Sequence, residues 1–183
     1  MYGMVNKAVQ DMVVGQFGGD TWDRIAEASG FHDGSFVAMQ QYPDQVTYDL
    51  VGAASRELGI PADQLLEAFG EYWVLYTARE GYGDLLKMTG PTLRDCLKNL
   101  DMLHARVGLS FPQLQPPSFR CVDVTEHSMH VRYYSHRSGL APLVTGLLKG
   151  LAKTYETPVE VSLVSPRGDE ADHDVFLVSF AEA

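Results

Sequence analysis

Apolar residues recur at helical spacing through the first half of the chain. The runs 5–13, 22–29 and 44–58 each place their apolar side chains on one face, with a period near 3.6 that is typical of amphipathic helices. Pro61 begins a fourth helical stretch, and Gly70 then precedes an aromatic cluster that is also predicted to be helical. The first half of the chain is therefore predicted to be a set of helices.

A further helix carries a histidine on its apolar face. Thr92 and Asp95 have the spacing of a capping box, which marks the start of a helix. The apolar positions that follow are spaced by four, three and seven: Leu93, Leu97, Leu100 and Val107. His104 lies between the last two on the same stripe, so its imidazole is predicted to point inward. Such a residue is either a core histidine with satisfied nitrogens or a metal ligand, for example the axial ligand of haem iron.

The hydrophobic pattern changes from helical to alternating after Pro116-Pro117. Two consecutive prolines exclude a helix at that point and favour a stiff, extended link. The elements predicted beyond them are strands over 119–124, 128–134, 159–163 and 174–180 and a helix over 139–153. Helices first and mostly antiparallel strands later are typical of an α+β fold. We therefore predict an N-terminal helical lobe followed by a lobe with a four-stranded sheet and helices.

Composition and charge narrow the range of partners. The chain has 183 residues and a net charge of −10, which argues against nucleic acid and anionic membranes as partners. Cys96 and Cys121 form no C-x-x-C motif, which argues against a zinc knuckle and against covalent attachment of c-type haem. The N-terminus lacks the pattern of a signal peptide, and no stretch is long enough to span a bilayer. We therefore expect a cytoplasmic protein.

A second motif adds candidate chemistry to His104. Tyr133, Ser135 and Arg137 form a Tyr-x-Ser-x-Arg triplet, and on an extended strand these positions point to one side at steps of about 6–7 Å. A phenol, a hydroxyl and a guanidinium in a row suit a ligand that presents two carboxylates along one edge. A solvated strand end would explain the same residues. A b-type haem has two propionates on one edge and needs an axial ligand, so the triplet and His104 together supply both.

These motifs, in this order and spacing, resemble the H-NOX family, the haem-nitric oxide/oxygen binding domains related to the haem domain of soluble guanylate cyclase. The resemblance runs from Met1-Tyr2-Gly3 through residues 103–108, Pro116-Pro117 and the triplet to residues 146–150. It implies one domain of the bacterial stand-alone type over residues 1–183. A helical distal lobe would occupy about 1–65 and a proximal sheet lobe 66–183, with a non-covalent b-type haem buried between them.

The resemblance implies a role for each motif. His104 would be the proximal ligand of the haem iron, and Pro117 would press on the macrocycle and distort it from planarity. The Tyr-x-Ser-x-Arg triplet would bind the propionates. The N-terminal helices would form the distal side, with lining residues Val5, Val9 and Trp73, and plain core packing explains the two valines equally well.

The resemblance also bears on which gas is bound. Family members that bind oxygen stably carry a tyrosine on the helix after the triplet, and alignment through residues 146–150 places Leu143 at that position. Leu143 cannot donate a hydrogen bond, so oxygen binding is expected to weaken while nitric oxide and carbon monoxide are little affected. The implied function is a nitric oxide sensor that discriminates against oxygen. Two alternatives stay open: an oxygen sensor that uses the indole N–H of Trp73 as donor, and a haem-free interaction module of the same fold.

The sequence favours a signalling role over catalysis. It has no glycine-rich phosphate loop, no G-x-S-x-G motif and no convincing Cys-His or Ser-His pair, so we do not expect an enzyme. The resemblance implies that nitric oxide breaks the Fe–His104 bond and that the two lobes then shift. Because the sequence ends at Ala183 without a transmitter segment, the expected partner is a separate protein. Family analogy suggests a sensor histidine kinase or a cyclic-di-GMP enzyme.

Overall fold

The computed structural model of the chain describes residues 1–32, 34–77, 83–111, 113–168 and 171–181. Within these residues the chain forms eight helices and four strands, which confirms the predicted α+β class. No described helix combines the length and the apolar character needed to cross a lipid bilayer. The elements in chain order are α1 Gly3–Phe17, α2 Gly19–Ser29, α3 Asp44–Leu58, α4 Ala62–Thr77, α5 Gly83–Lys87, α6 Leu93–Lys98, α7 Leu100–Ser110, β1 Ser118–Val122, β2 Ser128–Tyr134, α8 Ala141–Thr154, β3 Val159–Ser165 and β4 Asp174–Phe180.

The first of two compact units, Met1–Phe69, is built of helices. α2 packs against both α1 and α3, and the buried side chains come from the predicted apolar faces. They include Ala8, Val9, Met12, Val13, Trp22, Ile25, Leu50 and Ala53. α2 begins at Gly19, three residues before the predicted start. Gly18 adopts a φ of +87°, which lets the chain turn directly from α1 into α2.

The second unit, Gly70–Ala183, contains a four-stranded antiparallel sheet in the order β1-β2-β4-β3. The strands agree with the predicted runs to within two residues at each end. Residues from one face of the sheet and from the five helices α4 to α8 form a single hydrophobic core. Its members include Val74, Leu93, Cys96, Leu97, Phe119, Met129, Val131, Tyr133, Val144, Leu148, Phe176 and Val178.

Two glycines allow α4 and α8 to cross at close range. A Cβ atom added to Gly70 would overlap the backbone carbonyl oxygen of Leu143 and lie 2.8 Å from the amide nitrogen of Leu147. At Gly150 the added atom would lie 3.0 Å from the carbonyl oxygen of Glu71. Gly70 therefore lies inside one continuous helix, α4, and is required by the packing of α4 against α8.

The single helix predicted around His104 is divided at Asn99. The capping box is confirmed, because Thr92 is the N-cap of α6 and its Oγ1 accepts a hydrogen bond of 3.2 Å from the amide of Asp95. The Asn99 side chain donates to the carbonyl of Thr89 at 2.8 Å, and its ψ of 11° departs from helical geometry. The histidine is thus carried by α7, a separate helix of 11 residues.

Candidate functional site

The imidazole of His104 is the first component of the candidate site. Its Nδ1 is buried and has no hydrogen-bond partner among the described residues. Burial lowers the pKa of His104, and this effect is opposed by the nearby Asp101 carboxylate and by the backbone of Pro117. The ring is therefore neutral near pH 7, which is the form that coordinates a metal. A buried imidazole nitrogen without a partner is costly, and a ligand that binds this ring would offset that cost.

Aromatic packing connects His104 to the Tyr-x-Ser-x-Arg triplet. The centroid of the His104 ring lies 5.9 Å from that of Phe119, and the Phe119 ring lies 5.3 Å from that of Tyr133. Phe119 and Tyr133 are also register partners across β1 and β2. The predicted inward direction of His104 is consistent with these contacts. The proximal candidates from two distant parts of the sequence are thus brought to one end of the sheet.

Asp101 fixes the position of α7 against the sheet. Its Oδ1 accepts a hydrogen bond of 2.7 Å from the amide of Phe119, and its Oδ2 accepts one of 2.8 Å from the hydroxyl of Ser118. Asp101 lies in the first turn of α7, one helical turn before His104. A carboxylate there also interacts favourably with the helix dipole. Because both acceptors are used, Asp101 holds the start of β1 next to the helix that carries His104.

Replacing Asp101 with alanine is expected to lower the free energy of unfolding by about 1–2 kcal/mol, since two charge-assisted hydrogen bonds at a partly solvated position are lost. Urea denaturation of the purified protein measures this change. Asp84→Ala is the matched control, because Asp84 also lies in a first helical turn but pairs with Lys87 at 3.6 Å on the surface, where both side chains are exposed. An Asp101→Ala loss no larger than that of the control would contradict the assigned role.

The structure changes the geometry predicted for the triplet. β2 ends at Tyr134, so Tyr133 lies in the strand while Ser135 and Arg137 follow it. The Ser135 Oγ accepts a hydrogen bond of 3.1 Å from the amide of Arg137, and this local bond forms a turn. The prediction of three side chains in a straight row is therefore wrong. The strand does not continue through Ser135, because its hydroxyl accepts a hydrogen bond from the backbone amide two residues further on.

The turn still places the triplet beside the other proximal candidates. The Arg137 guanidinium donates through Nη1 to the carbonyl of Gln115 at 3.1 Å, two residues before Pro117. Pro117 is half-buried, and its backbone is near enough to affect the pKa of His104. The Tyr133 side chain is 5% exposed. Its ring belongs to the hydrophobic core, and its hydroxyl is the polar group at the end of the side chain.

The remaining candidates are divided between the two units. Val9 is buried and Val5 is partly buried, both in the first unit. Trp73 and Leu143 are partly buried and lie in the second unit, on α4 and α8. Trp73 lies on α4, the helix that spans the division between the two units at Gly70, and its distal role stays a prediction. The Trp73 ring stacks on that of Tyr76, with the two centroids 6.1 Å apart.

The free thiol of Cys121 is unsuited to compete with His104 as a ligand. Burial raises the pKa of Cys121 to about 11, with the Lys98 charge lowering it and the Asp101 charge raising it further. At neutral pH the group is a protonated thiol, whereas metal ligation requires the thiolate. The donor set of this region is therefore one neutral imidazole with nearby hydroxyl and guanidinium groups.

Sequence reasoning missed Asp101, Gln115 and Phe119. Phe119 could have been found from the alternation of β1, which makes it an inward position. Asp101 precedes His104 by three residues, and this spacing is only a weak sequence signal for a positioning role. The backbone carbonyl of Gln115 leaves no signal in the sequence, because every residue has such a carbonyl. The neutral buried imidazole and the adjacent anion-binding groups fit a cofactor with a metal centre and an acidic edge. The fold and the chemistry of these residues are therefore those expected of a haem-binding domain.

The family model described as Haem-NO-binding matches residues 2–163. The chain belongs to this family, the H-NOX domains, as the sequence motifs predicted. Domains of this family bind haem and act as sensors, and they are not catalytic by themselves.

Curated relatives of the chain are soluble guanylate cyclases. The chain is 30% identical over 191 residues to soluble guanylate cyclase gcy-35 of Caenorhabditis elegans, a match that covers 100% of this chain and 28% of that protein. It is 33% identical over 156 residues to gcy-32 of the same organism, covering 84% of this chain and 23% of that protein. The chain thus spans about a quarter of the length of these relatives.

Solved H-NOX structures have the same fold. An H-NOX protein from S. oneidensis in the Fe(II)NO ligation state superposes with a TM-score of 0.90 at 21% identity, over 100% of both chains. The unliganded Fe(II) H-NOX protein from K. algicida gives a TM-score of 0.88 at 20% identity, over 100% of this chain and 98% of the other. At these identities the similarity concerns the fold.

Proposed function

We propose that this domain is a nitric oxide sensor that binds nitric oxide and carbon monoxide at a ferrous, non-covalently held b-type haem and discriminates against oxygen. The observation that carries the proposal is the buried, neutral imidazole of His104, whose Nδ1 lacks a protein partner among the described residues. Similar structures have been solved in the Fe(II)NO and Fe(II)CO states, which supports these gases as ligands.

Each proximal residue has a role in this proposal. His104 provides the axial nitrogen, and Arg137, Ser135 and Tyr133 bind the carboxylates at the acidic edge. The Phe119 ring packs beside the imidazole, with its centroid 5.9 Å from that of His104, and Pro117 would press on the macrocycle. When bound, haem supplies an iron centre that takes up a diatomic gas. Every other contribution comes from side chains of this chain.

Leu143 is the basis of the proposed gas selectivity. Bound oxygen carries partial negative charge and is stabilised by a hydrogen-bond donor, which a leucine side chain cannot be. Nitric oxide and carbon monoxide depend much less on such a donor. Oxygen sensing is the second candidate function, and the position of Trp73 favours it, because α4 crosses α8 beside the backbone of Leu143. The indole N–H would then be the donor.

We further propose that the signal leaves through α7 to a separate protein in the cytoplasm, a sensor histidine kinase or a cyclic-di-GMP enzyme. α7 is separated from α6 at Asn99, and Asp101 bonds it to the start of β1. Release of His104 from its ligand would remove one restraint on this short helix while the Asp101 contacts remain. Such a helix has two arrangements whose populations a gas can shift.

Optical spectra of the ferrous protein test the proposal. Under vacuum we expect the absorption of a histidine-ligated ferrous haem, with shifts on adding nitric oxide or carbon monoxide and no stable change in air at room temperature. Leu143→Tyr adds a hydroxyl donor and is expected to slow oxygen release by about tenfold relative to Leu143→Phe, which has the same ring without the hydroxyl.

Three outcomes would contradict parts of this proposal. A stable oxygen-bound spectrum of the unmodified protein in air would contradict the proposed discrimination against oxygen. If that oxygen-bound spectrum were lost in Trp73→Phe, the oxygen sensor with Trp73 as donor would be favoured. Protein that takes up no haem when the cofactor is supplied would leave only the interaction module of the same fold.

A further inference from the structure

Arg167 reaches across the second unit to the turn that follows β2. Its guanidinium donates through Nη1 to the backbone carbonyl of Ser135 at 2.6 Å. Its own amide donates to Oδ1 of Asp174 at 2.7 Å, and Asp174 is the register partner of Tyr133. The backbone and the side chain of Arg167 are thus both bonded beside the triplet, although 32 residues separate Arg167 from Ser135 in sequence.

Ser135 needs support from outside its own strand. The ladder between β1 and β2 ends at the pair Ser118–Tyr134, so Ser135 lies one residue beyond the last paired position. Its hydroxyl accepts from the amide of Arg137, and its carbonyl accepts from Arg167. These two bonds constrain the hydroxyl and the carbonyl of Ser135, the first residue of the turn. The direction in which the Arg137 side chain leaves the turn depends on that constraint.

The two arginines also share a chemical feature. Arg137 donates to the carbonyl of Gln115 and Arg167 to the carbonyl of Ser135, so in both hydrogen bonds the acceptor is a neutral backbone group. The Asp172 and Asp174 carboxylates lie near Arg167, so its guanidinium is not an isolated positive charge. The contribution of Arg167 to the turn is therefore argued from its hydrogen bond to Ser135.

We propose that Arg167 is a positioning residue for the propionate-binding triplet, holding the turn 135–137 against the end of β2 through the Ser135 carbonyl. This inference rests on the proposed haem function. Arg167 acts through Ser135 and Arg137. Its contribution is to keep their polar groups directed toward the acidic edge of the cofactor.

The test compares Arg167→Gln, Arg167→Lys and the control Arg120→Gln in the haem-loaded full chain. Arg120 is exposed on the neighbouring strand β1, and its guanidinium lies 5.2 Å from the Tyr134 ring without a bond to Ser135. Two quantities are measured: amide hydrogen exchange at Arg137, and the rate at which haem transfers to apomyoglobin. The exchange rate of the Arg137 amide reports whether its hydrogen bond to the Ser135 hydroxyl is formed. A general loss of positive charge is not expected to break this bond.

For Arg167→Gln we expect exchange at Arg137 and haem loss each to be about three- to tenfold faster, because a partly solvated charge-assisted hydrogen bond is removed. Arg167→Lys keeps the charge and one donor, so it is expected to restore most of both values. Arg120→Gln is expected to leave both unchanged. Faster haem loss in both glutamine variants with normal exchange at Arg137 would overturn the positioning role, as would no change in Arg167→Gln. Unmodified protein that takes up no haem would overturn the proposed function and this inference with it.

Discussion

Replacing His104 with glycine is expected to remove the axial bond to haem and to lower haem affinity by more than about a hundredfold, since changes to groups that merely orient a ligand already cost about 10–100-fold. Burial lowers the pKa of His104 and keeps the ring neutral, and its buried Nδ1 has no hydrogen-bond partner among the described residues. Absorption and magnetic circular dichroism spectra of the ferrous protein measure the loss. The histidine-ligated signature is expected to disappear.

Added imidazole distinguishes ligation from structural damage. The glycine variant leaves a cavity of the size of the missing ring, so free imidazole is expected to bind there and to restore the ligated spectrum. The imidazole that ligates the iron is then no longer covalently joined to α7. His127→Gly is the control, because His127 is exposed in the loop between β1 and β2. Retention of the original spectrum in His104→Gly without imidazole would show that another residue is the ligand, and the site described here would be wrong.

Gly70→Ala is expected to lower the free energy of unfolding by about 1–3 kcal/mol, although alanine is the better helix former by about 1 kcal/mol. The added Cβ would overlap the carbonyl oxygen of Leu143 and approach the amide nitrogen of Leu147 at 2.8 Å. Both are backbone atoms of α8, so no side-chain rotation can relieve the overlap. The helices must separate, and packing between them is lost.

Chemical denaturation of Gly70→Ala and Gly52→Ala gives the comparison. Gly52 lies in the middle of α3, and a Cβ there would meet only the end of the Arg56 side chain, at 3.5 Å. This control is expected to be unchanged or slightly stabilised, by up to about 1 kcal/mol. Equal stability of the two variants would show that the crossing of α4 and α8 is looser than the structure indicates.

Much of the fold follows from periodicity alone. The helix Asp44–Leu58 and the strands Ser128–Tyr134 and Asp174–Phe180 agree with the predicted runs at both ends. These elements have clear apolar faces and end at residues that favour turns, so local preferences and tertiary packing point to the same result. The capping box of α6 is a similar case, because its bonds connect residues only three positions apart.

The failed predictions share a different cause. Ser135 was expected in an extended strand, yet its hydroxyl bonds to the Arg137 amide after β2 has ended. Asn99 divides a helix that its apolar stripe predicted to be continuous. In each case a specific contact overrides a pattern that is correct on average.

The sequence by itself determined the α+β class, the family, and the choice of His104 and the Tyr-x-Ser-x-Arg triplet as candidates, since those depend on residue types at short, regular spacings. Only the tertiary structure decided how these residues are held. The bonds of Asp101 to β1 and of Arg167 to Ser135 join positions 17 and 32 residues apart. Hydrogen bonds require atoms within about 3 Å of each other, and chain folding alone sets such distances between remote residues.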